Sequence, residues 1–516
     1  MYLLKKHSSL LIFLLVLMVA IFFRFWKISN IPFGLNNDAA WEGSAALDIL
    51  QGNFANYIPY ATEGWRGEGI IRSVVALVML FFGNDPVTIR ISTVIFGIAL
   101  IPAIFVLIRK FFDEKLAILT SFFVAISGWH ITFSKTGWRA VIVPFFATLT
   151  FYFFFKGLEN KKIIHFVLSG IFLAIVSFYT YDAARVVPLF FIFWLTVEAI
   201  SRKSFLKTHG KNLSAFFISF FIISFPMITY AFNNWQNFTS RSEFLFVGHE
   251  IEKVGNFSPL INNIVTTTFL FNVKANGNDF FIFEPLVDEP ISWLLPIGFL
   301  ITLLFSLIKK DKRYFFMVCW FLASLLPGVL SVPNGNRAIG AIPAVYFFAA
   351  VGLLVPLNLI SQRLKAPKTW VIFSFIVLFC IYSMFLSFKD YLGPNRKELA
   401  GFYPETLITT NYIKTILSDY DIYLTDNYPR ELLTYYLYKG GDPFVKNYNW
   451  LENNQMFFSV EKRENKGLAF FMFDSPDNEV VANGLIKKWG GQKFLLWYEN
   501  DNILKRPASL VVLIPR

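Results

Sequence analysis

Long apolar runs separated by short basic clusters recur along this chain, and they admit one class of fold. Residues 10–23 and 371–386 are two such runs. A soluble helix or strand alternates apolar with polar positions to keep one face wet. These runs have no wet face, and their length suits a bilayer. Apolar residues reach 55% of the chain, above the roughly 45–50% of soluble domains. About eleven spans are expected, at 10–26, 87–108, 116–133, 140–155, 163–180, 186–200, 213–231, 291–308, 314–331, 338–357 and 370–388. Segments 140–155 and 186–200 are short for a full crossing, which leaves room for a re-entrant element there.

Charge supplies the topology. The formal charge is +12; residues 1–388 carry 31 basic against 19 acidic side chains, while the tail holds 16 of each. A nucleic-acid binder gathers such charge into one patch. Here it falls in alternate connections, at Lys5/Lys6, Arg109/Lys110/Lys115, Lys156/Lys161/Lys162, Arg202/Lys203/Lys207/Lys211, Lys309/Lys310/Lys312/Arg313 and Arg363/Lys365/Lys368. The positive-inside rule then predicts a cytoplasmic N-terminus in a plasma (inner) membrane, with the tail on the far side. Phe23-Arg24-Phe25-Trp26-Lys27 is too bulky and basic for a signal-peptide cleavage site, so the first run reads as a retained span. Cys319 and Cys380 both lie in apolar segments and suggest neither a disulfide framework nor a metal cage.

The expected domains are a membrane domain, 1–388, with outer segments 27–86 and 232–290, and a soluble domain, 389–516. Within the first outer segment, 70–82 is apolar but too short to cross and predicts a helix along the interface. The tail switches to short β-like runs at 422–424, 468–473, 494–498 and 510–514, with helical stretches near 429–438 and 478–489. That pattern predicts a small α/β domain.

Candidate chemistry gathers in the outer connections. Asp38, in Asn36-Asn37-Asp38-Ala39-Ala40-Trp41-Glu42-Gly43, shares a helix face with Glu42 at i, i+4. A carboxylate at the lipid interface can serve as a general base; Asp is also a favoured helix N-cap. Lys135 with Arg139, then Arg185 and Arg337, each sit at the outer end of a span, where basic residues are sparse. Guanidinium matches a phosphate head group; the alternatives are snorkelling and an ion pair, with Asp182 in reach of Arg185. Glu68 and Asp279 lie in the two long outer segments, where a carboxylate is most often solvated. No HExxH, CxxC pair, P-loop or GxSxG occurs, so zinc, nucleotide and serine-hydrolase chemistry lack support.

Taken in order, these stretches resemble the GT-C glycosyltransferases, in particular the bacterial branch related to protein O-mannosyltransferases and lipid A aminoarabinose transferases. The segment from Asp38 to Gly52 is similar to that family's first-loop acidic motif and following helix. Gly64-Trp65-Arg66-Gly67-Glu68, the outer motifs ending at Arg139 and Arg185, and Arg337-Ala338-Ile339-Gly340-Ala341-Ile342-Pro343 resemble later ones. The likeness covers about residues 8–360. It implies inverting transfer of a sugar from a polyprenyl-phosphate donor to a glycan, lipid or protein acceptor on the non-cytoplasmic face. Asp38 maps onto the general base, with Glu42 or Glu68 as further acids. Relatives often carry Asp-Glu at this point, whereas Ala39 follows Asp38 here, so the resemblance implies no definite cofactor and leaves a divalent metal open. The competing class is a lipid-linked glycan transporter or flippase. It fits less well, because the spans are nearly free of acids and no half-repeat is evident.

Overall fold

The computed structural model describes residues 2–52, 69–275, 285–363, 369–393, 401–425, 428–438, 448–462, 465–497 and 507–516. In chain order the helices are α1 (Tyr2–Phe25), α2 (Asn37–Leu50), α3 (Gly69–Phe82), α4 (Pro86–Phe111), α5 (Glu114–Ile126), α6 (Gly128–Lys135), α7 (Ile142–Asn160) and α8 (Ile163–Phe178). Next come α9 (Val186–Ser201), α10 (Phe205–Asn233), α11 (Trp235–Phe244), α12 (Val247–Val254), α13 (Ser258–Phe269), α14 (Ile291–Ile308), α15 (Lys312–Val329), α16 (Gly335–Ala338), α17 (Ile342–Arg363) and α18 (Thr369–Tyr391). Every expected span is helical, and the chain is an integral membrane protein. Among the described residues seven helices are long and apolar enough to cross, or eight if the bent pair α5–α6 is one span. The difference from eleven lies in short or charged helices: the apolar stretch of α1 is Ser9–Phe25, α8 has 16 residues, and α15 opens on Lys312 and Arg313.

The two spans that read as short are not. A 3-10 turn precedes α7 and another precedes α9, giving continuous helices Arg139–Asn160 and Asp182–Ser201 of 22 and 20 residues. The interruption falls instead between α5 and α6, which meet at 54°. Ser127 caps α6 by accepting from the His130 N–H at 3.1 Å. The Asp288 carboxylate accepts from the Gly128 N–H at 2.9 Å and from the Tyr391 hydroxyl at 2.6 Å. A break at membrane depth is tolerated because protein groups satisfy the freed donors.

The chain divides into two compact units. The first holds α1, most of α4 and everything from α5 through α18. Its surface is apolar: Trp293, Ile297, Leu300 and Leu304 recur at helical spacing on α14, all exposed. Inside, α17 is the most buried span. Gly298 of α14 and Gly352 of α17 each lie against backbone of the partner helix with no room for a Cβ. Small residues thus let two apolar helices meet by close van der Waals packing, since lipid offers no hydrophobic driving force between them.

The second unit combines residues 28–56, 72–90 and 401–516. Its helices α19 (Pro404–Ile416), α20 (Arg430–Tyr436) and α21 (Pro476–Trp489) flank a sheet of β1 (Tyr420–Thr425), β2 (Asn449–Leu451), β3 (Gly467–Met472), β4 (Gln492–Leu496) and β5 (Ser509–Ile514). The strand order is β2-β1-β3-β5-β4, with β2, β1 and β3 parallel and β5 and β4 added antiparallel. Strict alternation divides the strands between two cores. Ala469, Phe471, Val511 and Leu513 face Ile413 and Leu433, while Phe470, Met472, Val512 and Ile514 face Val481 and Leu485. The small α/β domain expected from the tail is present; β2, only three residues long, is the strand its sequence does not announce. The first external segment packs here as well. Gly43 of α2 lies against the Tyr435 ring and Ile89 with no space for a Cβ, and the Gln51 amide donates to the Tyr438 hydroxyl at 2.7 Å.

Candidate active site

Helix α2 presents the sequence-selected acids. Its N-cap is Asn36, whose side chain accepts from the Ala39 N–H at 2.9 Å, so Asp38 is not the cap. Asp38 stands half-buried in the first turn, where a carboxylate complements the helix dipole. Glu42, one turn on, is buried and accepts from Arg72 of α3 at 3.0 Å, with both side chains withdrawn from solvent. Breaking a buried pair of this kind costs several kcal/mol, about 3–5, because the survivor is left unpaired. Glu42 therefore ties α2 to α3. Glu68 and Asp279 lie outside the described residues.

The basic candidates belong to the first unit. Lys135, at the end of α6, is buried and donates to the Trp26 carbonyl at 2.6 Å, just past the C-terminus of α1. Arg24 of α1 does the converse. It donates to the Ala125 and Val124 carbonyls in the last turn of α5, at 3.0 and 3.3 Å, and to His130 Nδ1 at 2.7 Å. Guanidinium has no acceptor, so that ring nitrogen carries the lone pair.

Arg139 and Arg185 come together with a residue that the sequence did not single out. Arg139 lies buried, with its guanidinium carbon 5.5 Å from the Trp138 ring centre and 5.8 Å from that of Tyr181. Arg241 of α11 flanks the same Tyr181 ring at 5.8 Å. Asp182, next in the chain, takes Arg185 at 2.8 Å on one oxygen and Arg241 at 3.9 Å on the other. The ion pair with Asp182 weighed from sequence is therefore real, but this carboxylate is shared between two guanidiniums. Arg185 also donates to the Phe238 carbonyl and Ser242 hydroxyl, each at 3.4 Å, with its guanidinium over the Phe238 ring at 4.2 Å. Arg337 is held by its own turn, donating to the Val332 carbonyl at 2.6 Å.

Among the described residues, Arg139, Arg185 and Arg241 gather around Tyr181 and Asp182. Arg139 and Arg185 sit in the 3-10 turns that open spans, at the positive pole of the helix dipole. A cation there is favourable only with an anion to answer it. Among the described residues no three His, Cys, Asp or Glu side chains gather to hold a metal ion, and position 39 offers only Ala39.

Residues 71–229 match the family model described as dolichyl-phosphate-mannose-protein mannosyltransferase. A search of curated proteins finds no significant match. Among solved structures the chain is similar to ArnT from Cupriavidus metallidurans in its apo state, at 11% identity and TM-score 0.60, covering 99% of this chain and 98% of that one. The same protein bound to undecaprenyl phosphate matches at 11% identity and TM-score 0.58, covering 97% of each chain. The apo oligosaccharyltransferase of Archaeoglobus fulgidus matches at 14% identity and TM-score 0.58, covering 96% of this chain and 74% of that one. The helical units, the C-terminal sheet and these likenesses agree: the chain has the fold of the GT-C membrane glycosyltransferases, and its residues 71–229 carry the mannosyltransferase family pattern.

Proposed function

We propose that this protein transfers a sugar from a polyprenyl-phosphate donor to an acceptor hydroxyl, on the non-cytoplasmic face and with inversion at the anomeric carbon. The observation that carries the reading is the Arg139–Arg185–Arg241 cluster around Tyr181 and Asp182. In a fold whose ArnT relative binds undecaprenyl phosphate, it supplies cationic charge for a phosphate. The acceptor oxygen attacks the anomeric carbon as its proton passes to the Asp38 carboxylate. The bond from that carbon to the donor phosphate oxygen breaks, and polyprenyl phosphate leaves with the electron pair. Negative charge growing on the leaving phosphate is met by guanidiniums already in place, the kind of preorganisation that lowers barriers most. Lys135 and Arg337, each donating to a backbone carbonyl, shape this end of the membrane domain. Glu42 holds α2, and Glu68 is a reserve acid. The acceptor class is a glycan, lipid or protein hydroxyl, and the alternation of basic clusters supports a cytoplasmic N-terminus.

The test is sugar transfer by the purified protein in lipid nanodiscs from a defined polyprenyl-phosphate sugar. Asp38→Asn is expected to lower kcat by about 10²–10⁴-fold with its melting temperature unchanged. Near-normal turnover in that variant removes Asp38 as the base. Absence of transfer by the unmodified protein across lipid-phosphate donors counts against the reaction itself.

A further inference from the structure

Helix α13 carries an apolar stripe that none of the described residues of its unit covers. Phe257, Ile261, Ile264, Val265 and Phe269 are all exposed, and their spacing of four, three, one and four residues places them on one face. Ile261 is 57% exposed and Phe257 67%. From Val254 to Val273 the chain has no Asp, Glu, Lys or Arg, although Glu250, Glu252 and Lys253 immediately precede it. With 12 residues the helix is about 18 Å long, short of the roughly 30 Å needed to cross.

The opposite face explains where α13 sits. Thr267 and Leu270 are buried, and Asn263 reaches the end of α15. The Asn263 amide donates to the carbonyls of Val329 and Ser331 at 3.1 and 2.6 Å, and the Val247 N–H donates to the Leu330 carbonyl at 2.9 Å. Three successive carbonyls at the close of α15 are thus answered by protein groups. A helix end needs this where water does not reach. The exposed face of α15 leads to the same place: Leu322, Leu326 and Leu330 form a stripe along the helix that ends beside α13. The apolar surface of the membrane domain therefore continues without a charged boundary onto the external segment.

We propose that α13 is a membrane-docking helix whose stripe lies in the boundary between headgroups and acyl chains of the surrounding bilayer. Its occupant is lipid rather than a second protein. The stripe continues a lipid-facing surface, and with no Asp, Glu, Lys or Arg from Val254 to Val273 it lacks the charged rim that a protein interface carries. This inference is independent of the proposed reaction.

Single cysteines at Ile261, Val265 and Lys253 test it, in the full chain with Cys319 and Cys380 replaced by Ser. Each is labelled with an environment-sensitive fluorophore and reconstituted in phosphatidylcholine–phosphatidylglycerol vesicles. Nitroxide placed high on the lipid acyl chain is expected to quench the probes at 261 and 265 about three-fold or more above the probe at 253, with aqueous iodide showing the reverse order. Iodide quenching at 261 and 265 as strong as at 253 overturns the proposal. So does quenching by neither agent together with cross-linking between copies through 261, which would make the stripe a protein interface. The labelled side chains are exposed, so the substitutions leave packing intact.

Discussion

Within the first unit, Arg24 and Lys135 donate to backbone carbonyls at helix ends, whereas Arg185 and Arg241 share one carboxylate and lie among aromatic rings. The first pair closes helix C-termini: Arg24 answers the last turn of α5, and Lys135 the end of α1. Charge there runs with the dipole, and the carbonyls would otherwise be orphaned. In the second pair, Arg185 opens a span at the dipole's positive pole, and both guanidiniums are half-buried around one carboxylate. Basic residues near one end of a bundle therefore divide by what they face. Those facing carbonyls hold the fold, and those facing a shared acid are the ones the proposed reaction assigns to the donor phosphate.

The largest effect expected from this contrast is at Arg24. Arg24→Met leaves the Val124 and Ala125 carbonyls and His130 Nδ1 without their donor. At about 1–3 kcal/mol for each of these three buried groups left unsatisfied, the loss is about 3–9 kcal/mol. It is read as a collapse in folded yield or melting temperature in detergent; a stable Arg24→Met protein breaks the division. Next comes Arg185. Arg185→Ala is expected to change stability by no more than about 1 kcal/mol, as a part-exposed pair should. It should raise the donor KM about ten- to a hundred-fold, from the loss of a charge-assisted contact worth roughly 1.5–3 kcal/mol. Arg185→Lys falls between, keeping charge but not the fork. Unfolding by Arg185→Ala would merge the two classes.

The smallest effect serves as a control. Arg313 also stands at the start of a helix, yet Asp311 answers it alone through both oxygens, and Arg313 further donates to the Phe111 carbonyl. Asp311→Ala should cost about 1 kcal/mol as a lost N-cap and leave the donor KM unchanged. The side-chain bond from Arg313 holds the Asp311 carboxyl below its ordinary value. Its stabilisation is thus full above the unfolded value of about 4 and drains as pH falls through the lower folded value. Melting curves of the two proteins should accordingly converge in acid.

Apolar run length made the spans and the tail domain legible, because both follow from local periodicity. The break at Ser127-Gly128 was not, since Ser127, Gly128 and His130 interrupt an otherwise apolar run too briefly to mark a bend; the groups that stabilise it, Asp288 and Tyr391, come from far along the chain. Arg139 and Arg185 stood out by sitting at span ends on the side poor in basic residues. Arg241 carries the same signal, but it lies in a polar stretch of a long external segment where one more Arg is unremarked. Glu42 shows the opposite limit. Its i, i+4 relation to Asp38 is real, but Arg72 lies 30 residues away, and only the folded chain reveals the pairing.

The second unit is assembled from pieces far apart along the chain, and that fixes an order of events in synthesis. Helix α2 emerges early, but the tyrosine ring that receives Gly43 belongs to α20. At about 5–20 residues per second, the stretch between residues 56 and 401 takes the ribosome roughly 20–70 s. Throughout that interval the membrane helices can be inserting while α2, with Asp38 on its first turn, waits for its seat. A chain stopped before residue 430 would therefore be threaded into the bilayer while α2 still lacks the ring it packs against.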